Sequence, residues 1–124
     1  MFDVILAYAM IVKEGKMKIK SFEHRTGVSG TSLKGYITAT YDELVERFGE
    51  PTYTQGDKTT AEWCLDFEVE NDEGDTDYVT ATIYDWKTDT TPQGEYRWHI
   101  GGFDYLAEDC VYQTLKEGQG QLYN

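Results

Sequence analysis

The stretch from His24 to Gly35, reading HRTGVSGTSLKG, gathers more hydrogen-bond donors than any other part of the chain. Glycines at 27, 30 and 35 alternate with hydroxyl residues and show no apolar periodicity, so the stretch reads as a loop. Amides, hydroxyls, a guanidinium and an ammonium that converge could cradle a phosphate. The residues that would do so are His24, Arg25, Thr26, Ser29, Thr31, Ser32 and Lys34. The GxxxxGK[ST] spacing is absent, which excludes a nucleotide-hydrolysing P-loop. A solvated loop, or one that touches a partner, would use the same residues, and both readings stay open.

A second set lies in TATIYDWK and EYRWHIGG, which hold Tyr84, Trp86, Arg97 and His99. A histidine near neutral pKa can shuttle protons or stack on a ring. No nucleophile accompanies His99, and the nearest expected carboxylates are Glu62 and Asp66, so a structural or contact role is favoured over catalysis. Gly101-Gly102 before a helical pattern could mark an anion site at a helix N-terminus. Asp104, Glu108 and Asp109 occupy that end, which favours a tight turn capped by Asp104. Glu68, Glu70, Asp72, Glu73, Asp75 and Asp77 crowd one turn, but the calcium-loop spacing is missing. A solvated turn or a mimic of DNA phosphates would also place acids there. Cys64 and Cys110 have no CxxC or His-spaced neighbours, so two reduced thiols are expected, with no metal and no cofactor.

The elements that must position these residues follow from spacing. Lys18 to Phe22 and Gly35 to Ala39 read as strands. From Thr40 to Pro51 nearly every helix boundary signal is present: Thr40 and Glu43 as a capping box, Gly49 at the end, Pro51 beyond it. Ala61 to Val69 alternates as a strand with one face on a core, and Tyr78 to Lys87 follows after a turn centred near Glu73. That turn predicts the pairs Trp63 with Ile83, Leu65 with Ala81 and Phe67 with Val79. A second hairpin is expected to pair Ile83 with Trp98 and Ala81 with Ile100. The outer face would then show the rows Glu62-Tyr84-Arg97 and Cys64-Thr82-His99. Asp104 to Lys116 reads as a helix with Phe103, Ala107, Cys110, Val111 and Thr114 inward, ended by Gly118 and followed by a frayed tail. The order β-β-α-β-β-β-α predicts an α+β domain, with an antiparallel sheet of four to five strands and helices on one face.

At 124 residues, 40% hydrophobic, the chain suits one globular domain. Its formal charge of −12 is uneven, at +3 over residues 1 to 35 and −15 over the remainder. Such an acidic body repels nucleic acid and anionic membrane and favours basic protein partners. The opening MFDVILAYAMIV is too short to span a bilayer and lacks signal-peptide flanks. Residues 1 to 16 are either an upstream extension, with Met17 the natural start, or a segment packed on the core. A single domain over 17 to 124 and a cytoplasmic setting are expected.

The motifs GVSGTSLKGYITATYDELVERFGEP, AEW, TATIYDWK and YRWHIGG resemble small accessory proteins encoded by tailed bacteriophages. That resemblance implies work in bacterial cytoplasm, where neutralising host defence is a common task. A local likeness, from Tyr41 to Pro51 and the alternating strands after it, is to one unit of the β-lactamase inhibitory protein family, whose sheets bind another protein. The expectation is a non-enzymatic protein that binds a host factor through an acidic, aromatic-bearing surface. The alternative is sequestration of a phosphorylated or nucleotide signal by the 24 to 35 loop and the sheet aromatics, with a homo-oligomer interface as one place for it.

Overall fold

A computed structural model describes residues 18–122, so the expectations for residues 1 to 16 and for the last two positions lie outside the described residues. The α+β class holds. The strands are β1 (Lys18–His24), β2 (Ser32–Ala39), β3 (Tyr53–Thr54), β4 (Ala61–Glu70), β5 (Thr76–Tyr84) and β6 (Tyr96–Gly102), and the helices are α1 (Tyr41–Phe48) and α2 (Leu106–Leu122). The six strands form one antiparallel sheet in the order β1-β4-β5-β6-β2, with β3 on the flank of β4. Six strands exceed the four to five expected because a two-residue strand after Pro51 has no periodicity to reveal it.

Alternation in β4 sends Trp63, Leu65, Phe67 and Val69 to one face, where they join Val79, Ala81, Ile83, Trp98 and Ile100 in the core. Both helices cover this face. Helix α1 begins as its capping box dictates, with Thr40 Oγ1 accepting the Glu43 N–H and Glu43 Oε1 accepting the Thr40 N–H. It ends at Gly49, whose φ of +86° suits a residue without a β-carbon. Leu44 and Phe48 are buried from α1, and Ala107, Cys110, Val111, Thr114 and Leu115 from α2. Trp63 and Trp98 meet edge to face at 5.6 Å. Each satisfies its indole N–H on a backbone carbonyl, at Gly49 and Ala39.

The register of β4 on β5 is the predicted one: Trp63 faces Ile83, Leu65 faces Ala81 and Phe67 faces Val79. That of β5 on β6 is displaced by two residues. Ile83 faces Ile100 and Tyr84 faces His99, not Trp98 and Arg97. A two-residue displacement keeps every side chain on its expected face but changes its neighbours. Strand β5 also stops at Tyr84, not Lys87. There Asp85 turns inward to accept from Thr60 N at 2.7 Å, Thr60 Oγ1 at 2.6 Å, Ala61 N at 3.2 Å and the Thr88 hydroxyl. Those bonds replace ladder bonds that continued pairing would have made.

Helix α2 runs through Gly118 to Leu122 where an end at Gly118 was expected; glycine weakens a helix without always stopping it. Phe103 is exposed rather than inward, lying ahead of the first helical turn.

Candidate binding face of the sheet

The opposite face of the sheet has no helix over it among the described residues. The observed registers place Tyr53, Glu62, Tyr84, His99 and Tyr36 opposite one another across β3, β4, β5, β6 and β2, a single row through five strands. Within it the His99 ring stacks on Tyr84 at 5.3 Å and meets Tyr36 at 5.1 Å. Arg97 lies with its guanidinium carbon 3.8 Å from the centre of the Tyr36 ring, a close cation–π contact. Trp86, two residues beyond Tyr84, meets that ring at 6.2 Å. The four sheet residues expected at the site, Tyr84, Trp86, Arg97 and His99, are therefore together, although the expected rows Glu62-Tyr84-Arg97 and Cys64-Thr82-His99 are replaced by Glu62-Tyr84-His99 and Cys64-Thr82-Gly101. Tyr36, Tyr53 and Lys58 join them. Tyr36 was legible only as part of a strand, and the shifted register is what makes it a neighbour of His99.

Gly101 lets the row close up. A β-carbon there would fall 2.6 Å from Thr82 Oγ1 and 3.5 Å from Tyr84 Cε1.

His99 titrates below the ordinary histidine range because it is partly buried and because Arg97 repels a second positive charge; the Tyr84 backbone and Asp85 oppose this without reversing it. Its Nδ1 is buried without a hydrogen-bond partner. Burial raises Glu62, against a hydrogen bond from Cys64. Burial, then Glu62 and Tyr36, raise Tyr84. A neutral imidazole with no nucleophile beside it equips this row for stacking and contact.

The stretch 24 to 35 is not one loop. His24 ends β1, and Ser32 and Lys34 belong to β2, since pairing with β4 and β6 continues further than composition suggested. Its charged residues also separate. His24 Nε2 donates to the Phe48 carbonyl at 2.7 Å, and Nδ1 lies 2.6 Å from Thr52 Oγ1, which ties β1 to the end of α1. Arg25 sits across β4, its Nη1 3.3 Å from an Asp66 oxygen and 3.3 Å from Thr80 Oγ1. Lys34 donates to Ser32 Oγ at 3.0 Å and stands over the Tyr105 ring at 5.0 Å. Thr26 and Ser29 are exposed and Thr31 is half-buried. The acidic turn is held by its own side chain, as Asn71 Oδ1 accepts from the amides of Glu73 and Asp75.

Cys64 and Cys110 are buried and form no disulfide. Among the described residues no group of three or more His, Cys, Asp and Glu is placed to hold a metal ion, and no helix is long and apolar enough to cross a membrane. The chain matches no family model, no curated protein and no solved structure.

Proposed function

We propose that this chain is a non-enzymatic binding protein that engages a protein partner through the helix-free face of its sheet. The observation that carries the reading is the row Tyr53-Glu62-Tyr84-His99-Tyr36 flanked by Arg97 and Trp86. Tyrosine, tryptophan and arginine on a rigid support are the residue types that dominate interface energetics. Strand backbones fix their spacing, so little ordering entropy remains to be lost on association. The acidic turn at one end of the same sheet favours a partner with a basic surface. The likeness to tailed-phage accessory proteins supports a bacterial host factor as that partner, met in the cytoplasm and neutralised by occupation of its surface.

Capture from a bacterial lysate tests this. Tagged wild-type protein should retain one protein in stoichiometric amount. A Trp86→Ala/Arg97→Glu variant with an unchanged circular dichroism spectrum should lose it. Retention by the variant, or no partner at all, overturns the reading. Sequestration of a phosphorylated signal by the 24 to 35 stretch draws less support, because Arg25, His24 and Lys34 are already engaged in three separate places.

A further inference from the structure

Three cations gather at one corner of the helix-free face, Lys58 and Lys87 over the Trp86 ring and Arg97 over Tyr36. The ion pairs among the described residues all join β1 or the residue after it to β4, and none includes Lys58, Lys87 or Arg97. The Lys87 N–H donates to the Lys58 carbonyl at 2.8 Å, which sets these two lysines side by side. Both ammonium groups stand 5.9 Å from the centre of the Trp86 ring. Arg97 lies two residues along β6 from His99, as Trp86 lies two residues beyond Tyr84, so it flanks the same side of the row.

The backbone that carries Trp86 is held in place. Its main-chain N–H donates to Tyr96 Oη at 3.3 Å, and Asp85 beside it is held by Thr60, Ala61 and Thr88. Lys87 holds a left-handed φ of +56°, a conformation that a residue with a β-carbon adopts at a cost and that the surrounding bonds must maintain. The indole is 43% exposed, while Trp63 and Trp98 are 0% exposed. An exposed indole with two long, flexible lysines over its ring offers a π-face, once an ammonium swings aside, and a phosphate contact together, the combination that holds nucleotides on aromatic platforms.

We infer that this corner binds a nucleoside phosphate of low charge, its base stacked on Trp86 and its phosphate held by Lys58 and Lys87. The inference goes beyond the protein partner proposed above, and it rests on reading the same helix-free face as the binding face. Low charge follows from the surroundings. Asp57, Asp89 and Glu95 share these loops and pair with no cation among the described residues, so they repel a triphosphate more than a monophosphate or a phosphodiester.

The exposure difference among the three tryptophans supplies the assay, since a ligand on this face quenches Trp86 and leaves the two buried indoles unchanged. Adenosine monophosphate should quench saturably. Inorganic phosphate and adenosine should each bind roughly tenfold more weakly by calorimetry, and Lys58→Ala/Lys87→Ala should weaken the nucleotide by a similar factor. Lys58→Arg/Lys87→Arg should preserve binding. Adenosine triphosphate should bind no better than the monophosphate. Tighter binding of the monophosphate than of oligothymidylate supports a free nucleotide of low charge, and the reverse overturns the inference. Absence of saturable quenching up to about 10 mM overturns it, as does indifference to loss of both lysines. A protein partner captured through Trp86 and Arg97 alongside a null nucleotide titration would remove this inference alone and leave the proposed function standing.

Discussion

At Gly35 a β-carbon would fall 2.2 Å from the carboxylate of Glu108, whose Oε2 accepts the Tyr36 N–H at 3.2 Å. The bare position lets a side chain of α2 reach over and occupy a backbone donor on the free edge of β2, one of the ways an edge strand is blunted against stray pairing. Gly35→Ala should swing that flexible carboxylate aside and cost about 0.5–1.5 kcal/mol, mainly the lost hydrogen bond, seen as a lower urea midpoint. Glu108→Ala removes the obstacle, so the double variant should cost less than the sum of the two singles, and an additive result would refute the argument. The thiols give a second prediction at this scale. Burial, the Glu62 charge and the hydrogen bond to Glu62 push Cys64 up to about 12; burial, then Asp109 and Asp104, do the same for Cys110. Neither forms much thiolate at mildly alkaline pH, so a disulfide reagent should label the native protein far more slowly than the unfolded chain. Equal rates would show the thiols to be accessible. Residue types at the candidate site were legible in the sequence, and their convergence was not. Arg25 and Lys34 look alike as loop cations, yet one faces Asp66 and the other Tyr105, which is decided by long-range pairing.

Among the elements, the β4 to β5 hairpin was readable because nine alternating residues and one turn leave a single register that buries all the apolar partners. The β5 to β6 hairpin was not, because registers two residues apart satisfy the alternation equally well. What selects between them is Asp85, whose carboxylate gathers residues 60, 61 and 88 and so fixes where the long connection begins. Burial alone would raise this carboxyl, but the hydrogen bonds from Thr60, Thr88 and Ala61 outweigh it and hold the group below its ordinary 3.8. A folded-state value below the unfolded one contributes stability that is present above the unfolded value and lost as pH falls through the folded value. Asp85→Asn should therefore cost about 1.5–3 kcal/mol at neutral pH, and its deficit against wild type should narrow in acid below that depressed range. A deficit that stays constant as the carboxyl titrates would show that shape, not charge, is what Asp85 supplies. Thr40→Ala offers a simpler check on α1: losing the cap should cost about 1 kcal/mol without changing the sheet.

For the molecule as a whole, the question is whether its charges hold it together or push it apart. Lys18 with Glu70, Lys20 with Glu68 and Arg25 with Asp66 tie the first strand and the residue after it to β4 at 3.8, 4.0 and 3.3 Å. These are surface pairs, each worth about 0–1 kcal/mol. Against them stands a formal charge of −12, with eight carboxylates and no lysine or arginine between residues 61 and 78. Repulsion spread over so many groups exceeds three weak attractions, so salt should stabilise the free protein. Raising ionic strength from about 0.01 to 0.15 M shortens the screening length from roughly 30 to 8 Å. The melting temperature should then rise by several degrees, at about 4 °C per kcal/mol for a chain of this size. A fall would mean that the β1 to β4 pairs dominate after all. The same salt step should act in the opposite sense on the proposed complex, because attraction between the acidic turn and a basic partner is screened together with the self-repulsion. Slower association accompanying a higher melting temperature is the signature expected of this charge arrangement. An association rate indifferent to salt would leave the aromatic row, without the acidic body, to account for recognition.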